Sequence, residues 1–148
     1  MKLVSLFVST EEFDPVSAII RWHTACAWSH AGFLRKSDMW TFSAMADGKG
    51  VSWRPPNPKA KVLALNYPET DKAFSAALTQ AGKPYDFLDI LGIAAAKDWS
   101  STDAWICDKL VFWACIQAGA PLLNHTFIPL DHLTPRDILL SPLISEEK

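Results

Sequence analysis

The sequence predicts one α+β domain, in which a small antiparallel sheet packs against a layer of helices. Strand-forming residues cluster before residue 66, whereas most of the segments with helical spacing of apolar residues follow residue 70. The chain has 148 residues, which suits a single domain (1–148) with a core that needs no disulfides. Hydrophobic residues make up 49% of the chain and charged residues 20%, a balance typical of globular proteins.

Five segments in the first half have the composition of strands: residues 2–9, 27–34, 39–45, 51–53 and 61–65. The charged turn at 35–38 joins the second and third of them in a hairpin pattern, and the glycine-containing turn at 47–50 predicts another. The proline-rich stretch at 54–58 excludes a helix or a central strand there.

Five segments are expected to be helical: residues 16–24, 70–81, 86–96, 103–118 and a short helix that starts at 134–137. Asp14 is the expected N-cap of the first helix, and Thr70 and Gly82 are the expected cap and stop of the second. The helix at 103–118 is apolar nearly all round, which indicates that it is buried on most sides. The residues at 145–148 are expected to form a frayed, solvated end.

Charge and cysteine usage exclude several classes of function. Sixteen acidic and 14 basic side chains give a formal charge of −2, so there is no basic excess to bind a nucleic acid. The three cysteines are odd in number and lack paired spacing, which favours a reducing compartment over a disulfide framework. His23 and Cys26 have the spacing of a metal-binding pair but no second pair accompanies them, so neither a metal nor another cofactor is expected.

The sequence also predicts no leader and no membrane anchor. The apolar run near the start is only about six residues long, and Glu11 and Glu12 follow it, unlike a signal peptide. Residues 110–130 carry no Asp, Glu, Lys or Arg, but glycine, proline, asparagine and glutamine interrupt them, so a membrane span is not expected. A cytoplasmic location follows as the expectation.

Cys107 is the candidate nucleophile because it lies near the start of the predicted helix at 103–118. Unpaired N–H groups at a helix start favour a thiolate and can bind an oxyanion, whereas Cys115 lies two turns further in. The plain alternative is that both cysteines are small core residues.

His30 is the candidate base, because it lies on a predicted strand with Gly32 two residues on, which leaves space beside the imidazole. The other histidines are expected on the apolar stripe of the first helix or at the surface: His23, His125 and His132. By spacing alone, a Cys–His pair is a weak indication in a domain of this size.

Three stretches together resemble a known family. They are Ser-His-Ala-Gly-Phe-Leu at 29–34, Gly-Lys-Pro-Tyr-Asp-Phe-Leu at 82–88 and Trp-Ile-Cys-Asp-Lys-Leu-Val at 105–111. The set is similar to circularly permuted NlpC-type papain-like cysteine hydrolases, a group that includes YiiX-like and lecithin:retinol acyltransferase-like proteins. The order of His before Cys is the permuted one. The resemblance extends over roughly residues 19–142 and implies a permuted papain-like fold.

The resemblance implies that Cys107 is the nucleophile and His30 the general base. It places the third catalytic residue, commonly a strong acceptor, near Ser43, with Asp47 in the following turn as the alternative. Ser43 carries no charge, so it would stabilise an imidazolium less than a carboxylate does. Asp108 stands where relatives have Ser, and a carboxylate beside Cys107 would raise the pKa of the thiol.

The expected function is therefore that of a thiol hydrolase, a peptidase, amidase or acyl hydrolase that works through an acyl-enzyme on a peptide or acyl substrate. Family members occur in phage settings, so cell-wall peptides and a phage- or virion-associated location are one context that the resemblance implies. One alternative is a non-catalytic papain-like module that binds a peptide or lipid chain in an aromatic groove. Its candidate lining residues are Trp28, Trp40, Trp53, Trp99 and Trp105. Another alternative is an assembly protein with an unreactive Cys107.

Overall fold

The computed structural model describes residues 3–10, 15–24, 26–66, 69–86, 104–123, 130 and 133–146. Within these residues the chain forms six strands and four helices. The strands are β1 (Val4–Ser9), β2 (His30–Arg35), β3 (Thr41–Met45), β4 (Gly50–Arg54), β5 (Lys61–Leu65) and β6 (Ile144–Glu146). The helices are α1 (Pro15–Thr24), α2 (Thr70–Leu78), α3 (Cys107–Gln117) and α4 (Pro135–Leu139). None of the described helices is long and apolar enough to cross a membrane.

The strands form one sheet in the order β4-β3-β2-β1-β5-β6, and every neighbouring pair is antiparallel. The two hairpins that the turns predicted are therefore present, and the α+β class is confirmed. All six residues of β1 are buried, as expected of a central strand with neighbours on both sides.

Strand alternation divides the side chains between two faces of the sheet. One face is apolar and lies in the main core together with residues of α2 and α3. Its buried strand residues are Val4, Leu6, Val8, Ala31, Phe33, Phe42, Ala44, Val51, Leu63 and Leu65. The opposite face carries His30, Gly32 and Ser43, which the same alternation places together. The candidate base therefore lies on the face of β2 that points away from the main core.

The helix that carries Cys107 begins four residues later than the expected start at 103. Tyr85 and Trp105 form a parallel bridge, in which the Trp105 N–H donates to the Pro84 carbonyl and the Asp86 N–H donates to the Trp105 carbonyl. These hydrogen bonds keep the residue before Ile106 extended, so that Ile106 becomes the N-cap. The expected burial is confirmed, since even the Asp and Lys that follow Cys107 are buried.

The C-terminal end differs from the sequence expectation. Residues 144–146 form β6 and pair with β5, and Lys61 forms an ion pair with Glu146, so the expectation of a frayed end is wrong for this part. Cross-strand hydrogen bonds decide the outcome there, and the local sequence does not show them. The α4 start is confirmed, because the Asp137 carboxylate accepts from both the Thr134 N–H and the Thr134 hydroxyl.

Two further helix expectations have different outcomes. The α2 helix is shorter than predicted: it ends at Leu78, and Glu69 takes the N-cap position expected of Thr70. The predicted helix at 86–96 falls almost wholly outside the described residues, as does the predicted N-cap Asp14.

We expect Phe42→Ala to lower the free energy of unfolding by about 3–5 kcal/mol, because the substitution leaves a cavity in the core. Phe42 is fully buried, and its ring packs 5.3 Å from that of Trp53 and 6.1 Å from that of Phe74. Trp40→Ala is the matched control, since Trp40 is 39% exposed, and its cost should be about 0.5 kcal/mol or less. Urea unfolding measures both, and equal losses would contradict the placement of the Phe42 ring in the core.

Candidate functional site

The His30 imidazole is held at the start of β2 by a contact across the sheet. Its Nε2 lies 3.0 Å from the Ser43 Oγ, and the histidine is 6% exposed. The β2–β3 register pairs Phe33 with Phe42, so Ser43 lies beside Gly32 and the imidazole reaches diagonally across the glycine. The structure therefore brings together two of the predicted site residues, His30 and Ser43.

Gly32 provides the space that this diagonal contact needs. A Cβ at this position would lie 2.7 Å from the Phe42 carbonyl oxygen, 2.7 Å from the Ser43 Cβ and 2.8 Å from the Phe7 ring. The Phe7 ring in turn packs 5.6 Å from the His30 ring, centroid to centroid. Strands β1 and β3 thus close on β2 at a point where no side chain fits.

The Cys107 thiol, at the first residue of α3, lies against the backbone on both sides of His30. Its Sγ is 3.9 Å from the Ser29 carbonyl oxygen, and the Ala31 N–H also acts on the thiol. The Asp108 Oδ1 is 3.6 Å from the same sulfur, and Cys107 is 1% exposed. Among the described residues no hydrogen bond joins the thiol to the imidazole.

Burial keeps both groups neutral. It raises the pKa of the Cys107 thiol well above 9.0, and Asp108 raises that pKa further, while backbone N–H groups act in the other direction. Burial also lowers the pKa of His30 from 6.5 to about 3, with a further lowering by the Arg54 charge. The expectation that the helix start favours a thiolate is therefore wrong for this closed arrangement, because burial outweighs the field of the helix. The direction expected from Asp108 is confirmed.

Asp47, the alternative third residue, is occupied elsewhere. Its carboxylate accepts from the Arg54 Nε at 3.0 Å and the Arg54 Nη2 at 2.9 Å, and from the Lys49 N–H at 3.0 Å. The pKa of Asp47 is accordingly lowered by its hydrogen bonds to Arg54 and Lys49, against the opposing effect of burial. Sequence reasoning missed Arg54, since an arginine beside a proline-rich stretch gives no signal of what it contacts.

Two cavities meet at the imidazole. The larger, of about 400 Å³, is lined by Phe7, His30, Thr41, Met45, Asp47, Lys49, Arg54 and residues 55–58. The smaller, of about 10 Å³, lies under α1, and its polar lining includes Ser17, Ser29 and His30. A volume of 400 Å³ is within the range of small-molecule sites, whereas the smaller cavity has room for about one water.

None of the four described tryptophans that the sequence suggested for an aromatic groove lines either cavity. Trp105 is buried in the core, and Trp28 and Trp53 pack against that core. Trp40 is 39% exposed, and Trp99 lies outside the described residues. The larger cavity has proline walls instead, because the hydrophobic effect draws the large rings into the main core.

The remaining candidates are less informative. Cys115 is buried in α3, where burial alone raises its pKa to about 12. The side chain of His23 and all of His125 and His132 lie outside the described residues. Within the described part of the chain, no three His, Cys, Asp or Glu side chains lie close enough together to hold a metal ion.

Comparison with known proteins identifies the fold. No protein-family model matches the sequence, and no curated protein matches it. The structure is similar to the crystal structure of the metalloprotein YiiX from Escherichia coli O157:H7, with a TM-score of 0.73 and 18% sequence identity over 99% of this chain and 96% of that one. The chain has a YiiX-like fold. At this identity, the YiiX-like fold establishes the arrangement of strands and helices and leaves the chemistry to be argued from the side chains.

We expect Gly32→Ala to lower the free energy of unfolding by about 1–3 kcal/mol, because the new methyl group overpacks the β1–β3 contact. The same substitution should separate Ser43 from His30. Gly48→Ala is the control, since Gly48 has φ +84° but nothing within 4 Å of an added Cβ. The control should lose stability, by roughly 1–2 kcal/mol, through backbone strain alone. NMR of the His30 ring should change in the first variant and not in the second.

Asp108→Asn should shift the alkylation of Cys107 to lower pH. The carboxylate raises the pKa of the thiol, so its removal increases the thiolate fraction at any pH below that pKa. Mass spectrometry of the folded protein, alkylated over a range of pH, measures this for each cysteine separately. Cys115 is the internal control and should keep its profile. An unchanged Cys107 profile would rule out the proposed influence of Asp108.

Proposed function

We propose that the protein is a thiol hydrolase of the permuted papain-like type, with Cys107 as nucleophile, His30 as base and Ser43 as the residue that orients His30. The observation that carries this proposal is the 3.0 Å contact between the His30 Nε2 and the Ser43 Oγ, at the strand position that lies against the Cys107 thiol. A base oriented through its second nitrogen, beside a nucleophile at a helix start, is the arrangement of such enzymes. The YiiX-like fold is compatible with it.

The chemistry assigns one role to each nitrogen of His30. Ser43 accepts from the Nε2–H, which leaves the Nδ1 lone pair to take the proton of the Cys107 thiol. The sulfur then forms a bond to the substrate carbonyl carbon, and the imidazolium returns the proton to the leaving nitrogen or oxygen as that bond breaks. A water, deprotonated by the Nδ1, hydrolyses the thioester and regenerates the thiol. Both groups are neutral in the buried arrangement, so the reaction starts with proton transfer from the thiol to the imidazole and not from a preformed ion pair.

The substrate class is a peptide, amide or ester, and the larger cavity is its proposed binding site. His30 lines this cavity, so an acyl group bound there meets the imidazole. Cys107 must become accessible for turnover, and α1 is the element that covers this region. The Ile20 side chain of α1 packs on Ile106, and a Ser17–Ser29 hydrogen bond ties α1 to the residue that contacts the thiol.

YiiX is described as a metalloprotein, but the described residues of this chain do not fit a metal site. The Cys107 thiol and the Asp108 carboxylate lie side by side, but the His30 Nε2 is already in contact with Ser43. Among the described residues, no group of three His, Cys, Asp or Glu side chains could hold a metal ion. No step of the proposed reaction therefore involves a metal.

A non-catalytic module that binds a peptide or acyl chain is the second candidate. The burial of Cys107 and the uncharged third residue favour it, because a buried neutral thiol has little nucleophilicity. The larger cavity would then be the ligand site without a reaction.

Cys107→Ala should abolish the hydrolysis of activated acyl esters and peptide amides and leave the fold intact, because it removes the nucleophile and only one sulfur atom. Cys115→Ala is the matched control: it alters a second buried cysteine of the same helix and should retain turnover. Ester and amide hydrolysis and mass detection of an acyl-enzyme measure the effect. Turnover that survives in Cys107→Ala would contradict the mechanism. Ligand binding without turnover in the wild type would favour the binding module.

A further inference from the structure

Arg54 is a buried cation whose five donors all meet acceptors. Its Nε and Nη2 donate to the two carboxylate oxygens of Asp47 at 3.0 and 2.9 Å. Its Nη1 donates to the Ser43 and Ser52 carbonyl oxygens at 2.6 and 2.9 Å, and its Nη2 donates to the Gly50 carbonyl oxygen at 2.8 Å. The residue is 8% exposed. A fully satisfied planar guanidinium of this kind fixes the geometry of the groups around it.

The acceptors of Arg54 belong to β3, to the turn and to β4. The guanidinium therefore acts as a clamp, in the sense that its hydrogen bonds hold both strands of the hairpin and their turn together. Ser43 needs such support, because the β2–β3 pairs are Phe33↔Phe42 and Leu34↔Thr41, and Ser43 lies one residue beyond them. Its position relative to His30 therefore depends on the β3–β4 hairpin, in which Ser43 pairs with Ser52.

We propose that Arg54 is a positioning residue for His30: it holds Ser43 against the imidazole, and Asp47 serves this clamp and not the imidazole itself. The catalytic meaning of this inference rests on the proposed thiol hydrolase, but the contact itself can be observed without turnover. It assigns Asp47, an alternative third catalytic residue by sequence, to a supporting role.

The charges around the imidazole agree with this assignment. Burial is the main cause of the low His30 pKa, the Arg54 charge lowers that pKa further, and Asp47 opposes both. Lys49 lines the larger cavity from the turn, while the Cys107 thiol lies between the Ser29 carbonyl and the Asp108 carboxylate. Tyr85 faces the imidazole across the smaller cavity.

The test is the tautomer of His30, read by nitrogen NMR of histidine-labelled protein at neutral pH, with His30→Gln to assign its signals. The wild type should hold the hydrogen on Nε2. Ser43→Ala sets the size of the change when the contact is lost, and Arg54→Met should shift the tautomer ratio in the same direction. Arg54→Lys keeps the charge but not the planar donors, so its ratio should resemble that of Arg54→Met while its titration midpoint stays closer to that of the wild type.

Arg35→Met is the matched control. Arg35 also forms a two-point contact with an aspartate beside a turn of the sheet, with its Nε at 3.0 Å and its Nη2 at 2.6 Å from the Asp38 oxygens, but it does not approach His30. It should leave the His30 signals unchanged. If Arg54→Met does not fold because Asp47 is left unpaired, the double variant Arg54→Met/Asp47→Asn removes both charges and gives the same readout.

A wild-type tautomer ratio in Arg54→Met, or in the double variant where that is the one that folds, would overturn the inference. The outcome is separate from that of the proposed function. A tautomer shift in the variant, in a protein that never hydrolyses an ester or amide, would support the positioning role of Arg54 and contradict the hydrolase. Turnover by the wild type with an unshifted tautomer ratio in the variant would support the hydrolase and contradict the positioning role.

Discussion

At Gly32, three strands approach so closely that a single methyl group would collide with the backbone of β3, the side chain of Ser43 and the ring of Phe7. This close approach is the constraint on which the candidate site depends. It lets the imidazole of His30 cross the glycine to reach Ser43, and it places the Phe7 ring beside that imidazole. A larger residue would force the strands apart, because packed interiors have no spare volume to absorb it. The spacing of the strands at Gly32 therefore determines the geometry of the site, and the polar side chains depend on that spacing.

The two faces of the sheet serve different purposes. The face toward α2 and α3 is a continuous apolar core, which supplies the free energy that keeps β1 and β2 in place. The other face carries His30, Ser43 and Arg54, so polar groups there can be arranged without disturbing the core. The Cys107 thiol lies between the two, because it belongs to a core helix but contacts the carbonyl of Ser29, the residue that precedes β2.

Burial has opposite consequences for the two halves of the Cys–His pair. It raises the pKa of Cys107 and lowers that of His30, so each group is kept in its neutral form. A helix start alone would favour the thiolate, but an electrostatic field of this kind is smaller than the cost of burying a charge. In the described arrangement the Cys–His pair is therefore neutral and enclosed.

Local sequence by itself determined the α+β class, the two hairpins and the burial of the α3 helix, because alternation, turn residues and helical spacing are local signals. The choice of His30 rests on its predicted strand and the glycine two residues on, whereas that of Ser43 rests on the family resemblance. Tertiary structure alone decided the late start of α3, where the Tyr85–Trp105 bridge holds the chain extended, and the pairing of β6 with β5. It also decided that Asp47 pairs with Arg54 and that Trp28, Trp53 and Trp105 fill or pack against the core. Each of these depends on residues distant in sequence, whose proximity only the folded chain creates.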